Sequence, residues 1–140
     1  MLSLAASLSY ADEFDSTRQF DHYTVHFSVF PSTSVPPEIA AIHDITRGPG
    51  IALINITVID DNLGGESFGR VATVAGTASN LMQQLRELSF KQITEPNAVY
   101  YLAPLRHTNE EVMHFTISVT PQGVPTPFTL KFTKTLYSHP

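Results

Sequence analysis

Two stretches, "HYTVHFSVF" at 22–30 and "VMHFTISVT" at 112–120, alternate apolar and polar residues one for one. Side chains of an extended chain point to opposite faces in turn, so this period of two fits a strand with one buried face and does not fit a helix. Tyr23, Val25, Phe27 and Val29 share one face of the first stretch, and His22, Thr24, His26 and Ser28 the other. Met113, Phe115, Ile117 and Val119 point inward in the second, with His114, Thr116 and Ser118 outward.

The same reading extends along the chain. "IALINITVI" sets Ala52, Ile54, Ile56 and Val58 against Leu53, Asn55 and Thr57, and is apolar enough for a central strand. "GRVATVAGTA" alternates through Val71, Thr73, Ala75 and Thr77; "ELSFKQI" points Leu88 and Phe90 inward; "AVYYLAPL" is apolar on both sides. "PFTLKFTKTLY" closes with Phe128, Leu130, Phe132 and Leu136. Turn residues separate these runs at Gly48-Pro49-Gly50, "DDNLGGESFG", "EPNA", "TNEE" and "PQGVPTP". "PPEIAAIHD", with proline in its first turn and Glu38 near its positive end, predicts a short helix. "SNLMQQLREL" predicts either a second helix capped by Ser79 or Asn80, with Leu81, Leu85 and Leu88 on one face, or a turn running into the next strand. The expected fold is all-β: an immunoglobulin-like antiparallel β-sandwich of about seven strands with one or two short helices. The chain has no cysteine and no tryptophan, so apolar interdigitation replaces a disulfide, and phenylalanine and tyrosine must fill the centre.

Composition narrows the function classes. Absence of cysteine excludes thiol catalysis and cysteine-ligated zinc. A net charge of −5, with eight scattered Lys and Arg residues, argues against nucleic-acid binding. No apolar run has the length of a transmembrane segment. The chain opens "LSLAASLSYA" after Met1, uncharged, and then turns acidic at Asp12, Glu13 and Asp15. An apolar stretch followed by the small-x-small triplet Ser9-Tyr10-Ala11 has two of the three parts of a secretory signal; the basic front is missing. Residues 1–11 are therefore expected to be a truncated signal-peptide remnant and residues 12–140 a single β-sandwich domain. An upstream start would restore export.

"RHTNEEVMH" reads as a hairpin with its turn near Asn109 and Glu110. A symmetric register would set His107 opposite His114, with Glu110 or Glu111 adding a carboxylate. The competing reading is a polar, protonatable tip that meets water or a basic partner. His107, Asn109, Glu110, Glu111 and His114 are thus the expected binding residues, and no catalytic or metal residue is assigned. His22 and His26 lie about 13 Å apart along a strand, too far for one metal. "DDNLGGE" gathers Asp60, Asp61, Asn62 and Glu66, but lacks the alternating spacing of a calcium loop and reads as a turn. Asn55-Ile56-Thr57 matches a glycosylation sequon inside the most apolar strand, where a sheet-face hydrogen bond is the better reading of Asn55. In Val99-Tyr100-Tyr101-Leu102 one tyrosine should face in and one out. There is no Gly-x-Ser-x-Gly elbow and no phosphate-binding glycine loop.

Taken in order, "YTVHFSVFPSTSVPPEIA", "ALINITV", "GTASNL", "VYYLAP", "TNEE" and "LKFTKTLY" resemble a family of short exported proteobacterial proteins catalogued as a domain of unknown function, over residues 20–137. The resemblance implies a signal peptide and hence a periplasmic location. It carries no catalytic residue, because the family has no established activity. Its recurring Asn-Glu-Glu turn resembles Asn109, Glu110 and Glu111. The expected function is a non-enzymatic binding or accessory module that contacts a protein or cell-envelope partner through a sheet edge or loop tips, without cofactor. The alternative is a metal-dependent site or enzyme at His107, Glu110, Glu111 and His114.

Overall fold

The computed structural model describes residues 14–66 and 69–138; the first eleven residues, where the signal remnant is expected, lie outside them. Nine strands occur among the described residues: β1 (Phe14–Phe20), β2 (Tyr23–Pro31), β3 (Ile51–Asp60), β4 (Ala72–Ser79), β5 (Leu85–Leu88), β6 (Lys91–Glu95), β7 (Ala98–Arg106), β8 (Glu111–Pro121) and β9 (Phe128–Leu136). They form two antiparallel sheets, β1-β2-β3-β7-β6 and β5-β4-β8-β9, stacked as a β-sandwich.

The alternating residues form the core between the sheets. Val25, Phe27 and Val29 of β2, Ile54, Ile56 and Val58 of β3, and Met113, Phe115, Ile117 and Val119 of β8 are all buried. Phe27, Phe132 and Phe115 stack through the middle, with ring centroids 4.6 and 4.7 Å apart, in the place a tryptophan would otherwise take. β3 is the central strand of its sheet, as its apolar run predicts. In β4 the core face is Ala72, Val74 and Ala78, with Gly76 among them, and Thr73 and Ala75 face out. At Gly76 a Cβ would lie 2.7 Å from the Thr116 carbonyl oxygen, so β8 leaves no room for a side chain there.

The outer face of the five-stranded sheet is partly covered. Between β2 and β3 the chain makes an excursion containing a 3-10 turn (Ser32–Ser34) and helix α1 (Pro37–Ile42), the predicted "PPEIAAIHD" helix. α1 starts with proline at its first position and ends in a Schellman motif: Asp44 takes φ 57°, and the Ile45 N–H bonds the Ala40 carbonyl at 2.8 Å. Val35 and Ile45 then pack on Leu53, Ile93 and Leu102 in a second small core. Buried Ser32 bonds both the N–H and the C=O of Gly48 at 3.0 Å, and Arg47 donates to the carbonyls of Val35 and Thr33. Among the described residues the outer face of the four-stranded sheet has no such cover.

Three expectations need correction. Of the two strands beyond the expected seven, one is β1, "FDSTRQF", which lacks an apolar face of its own and pairs along β2. The single strand expected over "ELSFKQI" is two, since the chain leaves one sheet after Leu88 and joins the other at Lys91. The predicted 107–114 hairpin is a crossover between sheets. Of the two readings of "SNLMQQLREL", the turn running into a strand is the one found.

Candidate functional site

β7 ends at Arg106 in the five-stranded sheet and β8 begins at Glu111 in the four-stranded one. β8 pairs with β4 and β9, so His114 lies opposite Ser79 and Thr133 and not opposite His107. His114 is exposed on the bare outer face, where its Nδ1 shares a hydrogen bond of 2.9 Å with Thr133 Oγ1. His107 sits on the crossover; its ring Nδ1–H donates to the Thr108 carbonyl at 2.7 Å and its backbone N–H to Gly50 O at 2.9 Å. The structure therefore does not bring the two imidazoles together.

The other three predicted residues shape the crossover. Asn109 Oδ1 accepts from the Ser138 N–H at 2.9 Å, tying the turn to the chain beyond β9. Glu110 is exposed and takes φ 58°, the left-handed conformation that reverses the chain. Glu111 is enclosed, its side chain 12% accessible. Its Oε1 accepts from the Thr108 N–H at 2.9 Å, its Oε2 accepts from Asn80 Nδ2 at 2.7 Å, and Arg86 Nη2 stands 3.9 Å away. Burial alone raises the Glu111 carboxyl pKa; the bonds from Asn80 and Thr108 and the charge of Arg86 outweigh it and hold the group below 4.5. Arg86 also donates to the Arg106 carbonyl, which links β5 to the end of β7. Glu111 thus latches the crossover to the turn before β5, while Arg86 ties β5 to β7 of the facing sheet.

That latch organises a neighbour the sequence did not mark as a site. Asn80, only 6% exposed, accepts through Oδ1 from the N–H groups of Met82 (3.0 Å) and Gln84 (2.9 Å) and donates through Nδ2 to Gln84 Oε1 and Glu111 Oε2. The Gln83 N–H bonds Asn80 O, and Gln83 takes φ 61°. The side chain closes a β-turn where the sequence also allowed it to cap a helix. On this fixed turn Leu81, Met82 and Leu85 stand 70, 78 and 65% exposed. Leu81 and Leu85 line a hollow of about 570 Å³ with Ser79, Gln83 and His114. The legible signal was Asn80 four residues before Gln84, a side chain able to bridge a turn.

Elsewhere several candidate polar groups hold partners within the protein. His22 Nδ1 lies 2.8 Å from Asp60 Oδ1 and donates to it; this bond, with that of the Asn62 N–H, lowers the Asp60 carboxyl pKa below 3.8 against partial desolvation. Asp61 accepts from Gln19 at 2.6 Å and Thr24 at 2.9 Å, so the carboxylates of Asp60 and Asp61 already hold protein donors. Among the described residues no three His, Cys, Asp or Glu side chains converge to hold a metal ion. His26 is exposed on β2, apart from His22 in the preceding turn. Tyr101 faces inward, its hydroxyl accepting from the Ala72 N–H at 2.7 Å and donating to Gln92; Tyr100 faces out, its pKa raised by burial and by Glu95. Asn55 Oδ1 is buried on the outer face of β3 without the hydrogen bond expected of it. No described helix is long and apolar enough to cross a membrane.

The chain is similar to a solved DUF4426 family protein from Pseudomonas aeruginosa PAO1, with 26% identity, 94% of this chain and 99% of that chain covered, and a TM-score of 0.80. Two structures of FetP from uropathogenic Escherichia coli strain F11 are also similar. One is of protein expressed in the periplasm, with 10% identity, 91% and 98% covered, and a TM-score of 0.63. The other is a copper-bound variant, with 11% identity, 91% and 94% covered, and a TM-score of 0.62. At that identity the likeness to FetP is one of fold. No curated protein matches significantly. The model of the domain of unknown function DUF4426 matches residues 17–139, most of this chain and every candidate residue above, and the chain belongs to that family.

Proposed function

We propose that this chain is a non-enzymatic binding or accessory module of the bacterial cell envelope, exported to the periplasm, that contacts a protein or envelope component through a sheet edge or the loop tips. The observation that carries this reading is the way the sandwich ends: four edge strands, β1, β6, β5 and β9, and a hydrogen-bonded turn running into β5 that exposes Leu81, Met82 and Leu85. Open edges recruit strands, and contiguous exposed apolar side chains mark contact surfaces. The periplasmic part rests on the apolar opening of the chain and on the expression of its fold neighbour FetP in the periplasm.

The metal-site alternative at His107, Glu110, Glu111 and His114 draws support from the copper bound by the FetP variant. Against it stands the geometry: the histidines point to separate places, and Glu111 already accepts from Asn80 and Thr108. Crosslinking in intact envelopes, followed by pulldown with the wild-type and Glu110→Lys chains, tests the contact reading. A specific crosslinked partner weakened by the charge reversal supports it. Stoichiometric copper or zinc on the purified protein, lost with His114→Ala, would replace it with the metal reading.

A further inference from the structure

The four edges of the sandwich are not alike. β9 carries Lys131 and Lys134, cations of the kind that discourage strand addition, and Phe128 at its start stacks on Phe20 of β1 at 4.9 Å. β1 presents exposed Thr17, Arg18 and Gln19, and β6 exposed Lys91, Gln92, Thr94 and Glu95. Among the described residues of the edge strands, β5 alone exposes a large apolar side chain, Leu85, which follows directly on the turn that carries Leu81 and Met82. β5 carries no proline or lysine. It is hydrogen-bonded on one side, to β4, and beside it lies a hollow of about 320 Å³ lined by Thr46, Ile51, Glu87, Ser89, Pro104 and Arg106.

Charge narrows the occupant. Leu85 and Glu87 project to the outer face, while Arg86 and Leu88 turn inward. Arg86 is engaged by Arg106 O and Glu111. No cation stands within ion-pair distance of Glu87 or Glu110 among the described residues. Residues directly opposite on paired strands interact most strongly, and alternate ones share a face. The geometry points to an extended peptide segment of a protein partner that adds as a fifth strand along β5, placing an apolar side chain against Leu85 and Leu81 and, two positions along, a basic one against Glu87. This inference rests on the contact reading above and names its edge and ligand. Backbone bonds to β5 supply affinity, and the apolar-x-basic pattern supplies selectivity. The turn is fixed beforehand by Asn80, so little ordering is required on binding. A second copy is the weaker occupant, because three side chains fall well short of the roughly 800 Å² per partner of a stable interface.

The test is selection from a phage-displayed library of random peptides on the full chain, followed by affinity measurement with the enriched synthetic peptides. The expected result is enrichment of an apolar-x-basic pattern. Affinity should fall at least about tenfold with Leu85→Ser, as for a truncated anchor residue. With Glu87→Lys, preference should switch to apolar-x-acidic peptides, a reversal that mere misfolding cannot produce. Enriched peptides without the pattern, or binding that survives both substitutions, overturn the proposal. Binding lost instead on Lys131→Glu moves the contact to β9: the site falls and the contact reading stands. No enrichment removes the site, and with no envelope crosslink it removes the reading too. Self-association, or binding to phosphatidylcholine vesicles, that disappears with Leu85→Ser gives the tip to a second copy or to lipid and overturns the proposal.

Discussion

Asn80→Asp changes one amide to a carboxylate of the same shape. The Oδ1 acceptor for the Met82 and Gln84 N–H groups is kept. The Nδ2 donor to Glu111 Oε2, 2.7 Å away, is lost, and two carboxylates then face each other. A hydrogen bond to a charged group contributes about 1.5–3 kcal/mol and a neutral one, here to Gln84, about 1 kcal/mol. Side-chain rotation toward water relieves part of the repulsion, so the net cost at neutral pH is about 3 kcal/mol, or a fall of about 10 °C in Tm. The pH dependence carries the sharper signature. In the wild type the Glu111 pKa is held below 4.5, so its contribution is full above about that pH and is lost as pH falls through the folded value. In the variant the paired carboxylates push one pKa up, so the penalty is full at high pH and vanishes as pH falls through that raised value. The stability gap between the two proteins must therefore narrow between pH 7 and pH 4. Urea denaturation followed by circular dichroism at both pH values measures it. A gap that is equal at both, or below about 0.5 kcal/mol at pH 7, refutes the assignment of Glu111 as a latch.

Three further outcomes follow from the geometry. Gly76→Ala puts a methyl group 2.7 Å from Thr116 O, where neither strand can retreat without breaking the β4–β8 pairing, and should cost about 1–3 kcal/mol in denaturant unfolding. Tyr101→Phe leaves the Ala72 N–H without its acceptor at 2.7 Å and should cost about 1–2 kcal/mol, with faster exchange of that amide. His22→Ala removes the largest influence holding the Asp60 carboxyl down, so its carbon-13 titration midpoint should rise toward 3.8; an unchanged midpoint would show that Asn62 and Arg70 suffice.

The strands that bury a regular face were legible. β2, β3 and β8 alternate without a break, and the predicted inward residues are the core residues. α1 was legible from its proline start. What alternation could not supply was partnership between strands. Residues 107–110 have the length and polarity of a hairpin turn, and nothing local distinguishes a hairpin from a crossover to the facing sheet. The choice is made elsewhere, by β4 and β9 occupying both sides of β8. β1 was missed for the same reason, since its stability comes from β2. At "SNLMQQLREL" helical spacing of Leu81, Leu85 and Leu88 competed with a turn, and Asn80 decided it by bonding back to Met82 and Gln84 and across to Glu111. Of the predicted site, Asn109, Glu110 and Glu111 do cluster, as structural elements of the crossover, whereas His107 and His114 separate.

Amide hydrogen exchange by NMR on the full chain tests most directly the claim on which the account turns, that an exposed apolar tip is held rigid in advance of any partner. Slow exchange is predicted for Met82, Gln83 and Gln84, whose N–H groups bond Asn80, alongside the core amides of Ile54, Phe115 and Leu130. Exchange of Met82, Gln83 and Gln84 at the rate of an unstructured peptide, with the core still protected, would contradict it.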